Sequence, residues 1–187
     1  VTVENPGFED PAMPSGEVSN TVPSWTEIDP TDAGYIKHMS LDSNAYDLNA
    51  YRSDGSTLIQ PVGTVEAGTY TLTVEVGARP AAPFGSYTIG LFANDGTTTT
   101  PLATVTDPVT PNKDGTTLEE RFATATVTAE VLALDAAKGQ SLEIHLIANS
   151  SEVNFDQVAL DFVPGPDDVN VYLQTQRFNK SLPGRSE

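Results

Sequence analysis

The stretch Thr69-Tyr70-Thr71-Leu72-Thr73-Val74-Glu75-Val76 decides the fold. Tyr70, Leu72, Val74 and Val76 fall on one side of an extended chain, and Thr71, Thr73 and Glu75 fall on the other. Strict alternation of this kind marks a half-buried antiparallel strand. Ala67-Gly68 turns the chain into it. The same period of two recurs outward in both directions. Tyr87, Ile89 and Leu91 alternate over residues 86–93, and Leu142, Ile144 and Leu146 over 141–148. Val158, Leu160 and Phe162 alternate over 153–163. Shorter extended runs are expected at 1–4, 22–28, 56–61, 102–105 and 121–128, and at 45–51, where Tyr46, Leu48 and Ala50 oppose Asp47, Asn49 and Tyr51. Arg52-Ser53-Asp54-Gly55 reads as a hairpin turn, and residues 129–138 as a short helix stopped by Gly139. Many short strands between turn signals predict an all-β fold, a β-sandwich or jelly roll of two antiparallel sheets.

Pro164-Gly165-Pro166 breaks the chain sharply. This divides it into a β-jelly-roll domain at 1–163 and a hinge with a C-terminal strand or tail at 164–187. In the tail Val169, Val171 and Leu173 alternate with Asn170, Tyr172 and Gln174, and Phe178 follows. Three readings of this extension strand stand together: an edge of its own sheet, the start of a further domain, or a strand added to a neighbouring molecule's sheet.

Composition narrows the function. The chain has 187 residues and a hydrophobic content of 38%, enough for one substantial core. It carries 26 acidic against 9 basic residues, for a net charge of −17. That balance argues against nucleic-acid partners and favours solubility and cation binding. There is no cysteine, so disulfides, thiolate metal sites and a cysteine nucleophile are excluded. No apolar run reaches membrane-spanning length, so no membrane insertion is expected. The opening at Val1 suggests a processed chain whose signal peptide is already removed, with an extracellular or cell-surface location.

No nucleophile elbow, zinc-binding helix or phosphate loop occurs, and neither His38 nor His145 has a defensible triad pattern; both default to surface histidines. On these grounds no enzyme activity is expected. Asp156 shares the inward parity of Val158 and Leu160, and a carboxylate there must meet a cation, a donor or water. Glu9 follows the turn Pro6-Gly7 and the apolar anchor Phe8. If the first and last strands are neighbours, Glu9 and Asp156 converge on one hard cation, for which calcium is the best match. The alternative is that both are solvated or cap loops. Trp25 reads as core. Tyr51, pointing away from Leu48, and the group Arg79, Phe84 and Tyr87 are candidates for stacking on a sugar ring, against a reading as loop packing.

The opening Asn5-Pro6-Gly7-Phe8-Glu9, then Val22-Pro23-Ser24-Trp25, then Phe155-Asp156-Gln157-Val158-Ala159-Leu160 resemble the galactose-binding-like β-jelly-roll modules. Carbohydrate-binding modules of families 4/9 and 22 and jelly-roll domains of secreted bacterial surface proteins have a similar start and end. The resemblance implies a structural calcium ion (Ca2+) held by Glu9 and Asp156, with Asp42 as a third ligand. Two functions follow as expectations. One is a non-catalytic, calcium-stabilised structural subunit that self-assembles with copies of itself, as a filament, through Val169, Val171, Tyr172, Leu173 and Phe178. The other is a carbohydrate-binding module for a polysaccharide, using Tyr51, Arg79, Phe84 and Tyr87.

Overall fold

The computed structural model describes residues 1–12, 18–19, 21–28, 35–39, 48–53, 55–78, 83–112 and 121–165. Among the described residues eleven strands form two antiparallel sheets. In chain order they are β1 (Val18–Ser19), β2 (Thr26–Ile28), β3 (Tyr35–Met39), β4 (Leu48–Ser53), β5 (Thr57–Thr64), β6 (Gly68–Gly77), β7 (Tyr87–Asn94), β8 (Thr99–Thr106), β9 (Phe122–Val131), β10 (Ser141–Ala148) and β11 (Val153–Pro164). One sheet has the order β1-β3-β4-β11-β6-β9, and the other β2-β5-β10-β7-β8. We call them the six-stranded and five-stranded sheets. This is the expected β-sandwich of jelly-roll type. No helix long and apolar enough to cross a membrane occurs among the described residues.

The alternation places the core. Tyr70, Leu72, Val74 and Val76 of β6 are fully buried and face Ile89 and Leu91 of β7 and Ile144 and Leu146 of β10 within one apolar cluster. At roughly 25 cal/mol per Å² of apolar area removed from water, such paired rows dominate the folding energy. One end of the cluster is aromatic: Phe8 packs on Trp25 and Tyr51 at ring distances of 5.6 and 5.7 Å. Phe155 meets Tyr87 edge-on at 6.2 Å.

Four local expectations are corrected. The anticipated helix at 129–138 is strand and turn. The alternation of Ala125, Val127, Ala129 and Val131, all buried, carries β9 through to Val131, and tight turns follow, with Asp135 N–H on Leu132 O and Lys138 N–H on Asp135 O. Residues 52–55 do not make a hairpin, because β4 and β5 lie in different sheets. Ser53 Oγ accepts the Ser56 N–H at 3.0 Å and ties the corner where the chain crosses between them. His145 is not a surface residue; it is 7% exposed beneath Phe92.

The fourth correction concerns Asp156. A bulge interrupts the β11–β6 ladder between Asp156 and Ala159, and Gln157 takes φ 46° there. An extra residue in one strand reverses the parity of everything before it. Val153 and Phe155 therefore enter the core ahead of the bulge, and Val158 and Leu160 after it. Asp156 lies on the outer face of the six-stranded sheet, yet is only 2% exposed.

Candidate functional site

The outer face of the six-stranded sheet carries two rows at the end where β11 begins. The register aligns Phe122, Gly77, Asn154 and Arg52 across β9, β6, β11 and β4. One step along the strands it aligns Thr124, Glu75 and Asp156 across β9, β6 and β11. Strand pleating puts residues two apart on the same side, so Asn154 and Asp156 share this face at a spacing of about 7 Å.

Asp156 is the titratable centre. Burial, followed by the negative charges of Glu9 and Glu75, pushes its carboxyl up to about 7, against the lowering effect of the Gln157 N–H that donates to Oδ1 at 2.7 Å. The desolvation cost of the charged form outweighs that one hydrogen bond. Glu75 itself accepts from Thr124 Oγ1 at 2.6 Å. The N-terminal loop closes over the bulge: Val158 N–H donates to Pro6 O at 2.8 Å, and Phe8 N–H to Asn5 O at 3.2 Å. Gly7 leaves little room for a side chain at this crossing. A Cβ there would lie 3.0 Å from Gln157 Nε2 and 3.6 Å from Asp156 Oδ1.

Next to Asp156, Asn154 is fully buried. Its Nδ2 donates to Gly77 O at 3.3 Å, while its Oδ1 accepts nothing. Arg52 beside it is engaged by Glu152 at 3.0 Å. Phe122 lies over Gly77, where a Cβ would come within 2.5 Å of the ring. The face thus combines an apolar ring, a buried amide and a buried carboxyl whose pKa is raised.

The first extended run expected at 1–4 is not a strand, and Glu9 lies near enough to Asp156 only for its charge to act on that carboxyl. Asp42 and Arg79 lie outside the described residues, as do Val169, Val171, Tyr172, Leu173 and Phe178. Among the described residues no group of three or more His, Cys, Asp or Glu is placed to hold a metal ion. The exposed-aromatic reading is corrected. Tyr51 is fully buried and points into the core, where its hydroxyl donates to Glu27 Oε1 at 2.9 Å and shares a 2.7 Å hydrogen bond with Ser56 Oγ. Burial pushes that phenol well above its ordinary range. Tyr87 is equally buried, its hydroxyl donating to Val109 O at 2.8 Å, and Phe84 packs edge-on against it at 5.8 Å. Neither tyrosine offers a ring face to a ligand.

Asn154, Phe122 and Glu75 do not stand out as site residues in the sequence. They occupy the polar parity of their strands, which reads as solvent-facing. The available signal was Phe122, an aromatic in register with Thr124 and Thr126.

The sequence model of the HpiC1-like family, described as HpiC1 cyclase, matches residues 1–161. Two solved structures from Fischerella sp. TAU resemble the chain. One is a Stig cyclase, Fisc, in complex with (3Z)-3-(1-methyl-2-pyrrolidinylidene)-3H-indole, at TM-score 0.73 and 24% identity over 88% of this chain and 98% of that one. The other is described as a cyclase, at TM-score 0.72 and 24% identity over 88% and 97%. A carbohydrate-binding module of family 4 is more distant, at TM-score 0.51 and 14% identity over 87% of this chain and 100% of that one. Among curated proteins, none matches the chain. The family match overturns the assignment to carbohydrate-binding or surface jelly-roll modules, whose likeness extends to the fold alone. It overturns with it the non-catalytic, self-assembling structural subunit, the carbohydrate-binding alternative and the expectation of no enzyme activity, because the matching family is one of cyclases.

Proposed function

The chain belongs to the HpiC1-like cyclase family, and we propose that it is an acid-catalysed cyclase for which Asp156 is the proton donor and an alkene-bearing indole is the substrate class. One observation carries the reading: on the polar face of β11 a carboxyl only 2% exposed sits opposite Glu75 and near Glu9, and burial pushes its pKa up to about 7. A general acid works best when its pKa lies near the operating pH. The indole class is supported by the ligand named for the similar Fischerella cyclase.

The chemistry balances without an oxidant. Asp156 transfers its proton to one carbon of an alkene, leaving a carbocation on the other. The indole ring carbon attacks that cation, and a C–C bond closes the ring. Loss of the ring proton restores the aromatic system and returns a proton to the carboxylate. The product is an isomer of the substrate. Glu9 and Glu75, whose charges act to raise the Asp156 pKa, oppose a negative charge on Asp156 in the resting site and favour positive charge on the substrate during the reaction.

Calcium does not enter the chemistry: among the described residues no group of three or more His, Cys, Asp or Glu gathers, and the atom nearest the Gly7 Cβ position is Gln157 Nε2, a donor, so this corner does not fit a hard cation beside a protonated Asp156.

The function is tested with an indole carrying a trisubstituted alkene on a short chain at C3, incubated in D2O. The expected product has a new ring and one deuterium at the protonated carbon. Asp156→Asn eliminates it. A ring formed equally fast by Asp156→Asn overturns the assignment.

A further inference from the structure

At the end of β11 remote from Asp156 the surface of the sandwich is grooved and apolar. Gly165 N–H donates to Ala67 O at 3.0 Å, which holds the end of β11 against the start of β6. A groove of about 250 Å³ runs beside this contact, lined by Thr69, Glu130, Val131, Leu132 and Val163. A second hollow of about 460 Å³ flanks it and reaches Glu66 and Lys138. Leu132 and Val163 are 61% and 67% exposed, and Leu134, two residues on from Leu132, is 85% exposed. Single exposed leucines are ordinary, but large apolar side chains gathered at a groove mark a docking surface. The chain itself leads an occupant there. The described residues end at Gly165, within the lining of both hollows. Residues 166–187, which lie outside the described residues, carry the alternating Val169, Val171 and Leu173. Residues 169–186 also hold Arg177, Lys180 and Arg185 and no acid. Beyond Gly165 three acids (Asp167, Asp168 and Glu187) balance those three bases, so residues 1–165 carry the whole net charge of −17.

We propose that this groove is the docking site for residues 169–173 of the same chain, with Val169, Val171 and Leu173 set against Leu132 and Val163. Three observations favour this occupant. The apolar residues follow the groove by only a few positions, and a segment tethered that closely acts at an effective concentration in the millimolar range, so modest apolar contacts hold it. The basic residues that come next are attracted to the acidic body, whose groove rim includes Glu66 and Glu130. A second copy in the groove would instead bring together two chains of net charge −17, which repel.

The test uses the full chain, which has no cysteine of its own. Gln174→Cys carries a nitroxide spin label, and methyl NMR signals are compared with the label oxidised and reduced. The oxidised label broadens the signals of Leu132, Leu134 and Val163, while those of Val76 and Val153, at the other end of the sandwich, stay sharp. Adding Val169→Asp and Val171→Asp abolishes the broadening. Both substitutions lie outside residues 1–165, and the methyl spectrum itself reports that the sandwich stays folded. Absence of broadening overturns the proposal. Broadening that survives the two aspartates reflects the tether alone and overturns it as well. So does broadening on isotope-labelled chains without a nitroxide when spin-labelled chains are mixed with them, because a second copy then fills the groove.

Discussion

Each sheet carries a buried polar cluster on its outer face, and the two clusters are built in opposite ways. On the five-stranded sheet, Asn94 Nδ2 donates to Glu143 Oε1 at 2.7 Å, and Glu143 Oε2 meets His145 Nε2 at 2.9 Å. Phe92 stacks on the His145 ring at 4.0 Å. Both carboxylate oxygens and the imidazole have protein partners and an aromatic cover. On the six-stranded sheet, Asp156 is pressed by two acids and Asn154 keeps an unfilled acceptor. A satisfied network rigidifies a fold. An unsatisfied one, retained at the cost of stability, marks a place where something else binds or reacts.

The contrast is broken most forcefully by changing one group on each face. Asp156→Asn keeps shape and volume, so the protein folds while turnover falls about 10²–10⁴-fold, the range for loss of a general acid. Steady-state cyclisation rates on a chromatographic assay check it. Turnover within threefold of wild type would equate the two faces.

Stability against pH sharpens the contrast next. The folded state holds the Asp156 proton up to about pH 7, whereas the ordinary carboxyl value is 3.8. Between these values the folded chain binds more protons than the unfolded chain, so the group's contribution falls as pH rises. Each pH unit crossed between the two values removes about 1.4 kcal/mol. Wild type therefore loses about 4 kcal/mol relative to Asp156→Asn between pH 4 and pH 8 in cation-free buffer. Urea titrations at successive pH values read this difference.

Glu143→Leu makes the converse change. It leaves Asn94 Nδ2 and His145 Nε2 without their buried acceptor and costs about 1–3 kcal/mol. Turnover per folded molecule stays at the wild-type level. A tenfold fall at equal folded fraction would move the chemistry to the five-stranded sheet.

The smallest effect is expected inside the core. Tyr51→Phe removes one hydroxyl shared with Glu27 and Ser56 and lowers stability by about 1 kcal/mol, with turnover unchanged. Calorimetry of the variant measures this.

The sandwich was legible in the sequence because its central strands alternate without interruption, as β6 does from Tyr70 to Val76. Burial of Asp156 was legible too, but on the wrong face. Nothing in Asp156-Gln157-Val158 announces the bulge, which depends on Gln157 taking a left-handed conformation beneath Pro6. Tyr51 failed for a related reason. Its residue type and neighbours suggested exposure, and only the crossing at Ser53–Ser56 turns it inward. The polar residues of the outer face were unreadable because alternation reports which side faces the core, and covering of the other side by distant loops leaves no periodic trace. The resemblance to carbohydrate-binding modules came from the ends of the chain. Those segments carry the fold, whereas the proposed chemistry depends on what stands between β6, β9 and β11.

The proposed chemistry turns on the protonation of one carboxyl, and carbon-detected NMR titration of the Asp156 side chain, assigned by comparison with Asp156→Asn, measures it directly in chelator-treated protein. A midpoint near 7 is predicted. A midpoint at the ordinary carboxyl value of 3.8 would mean that the group is ionised at working pH, and Asp156 would not be the acid.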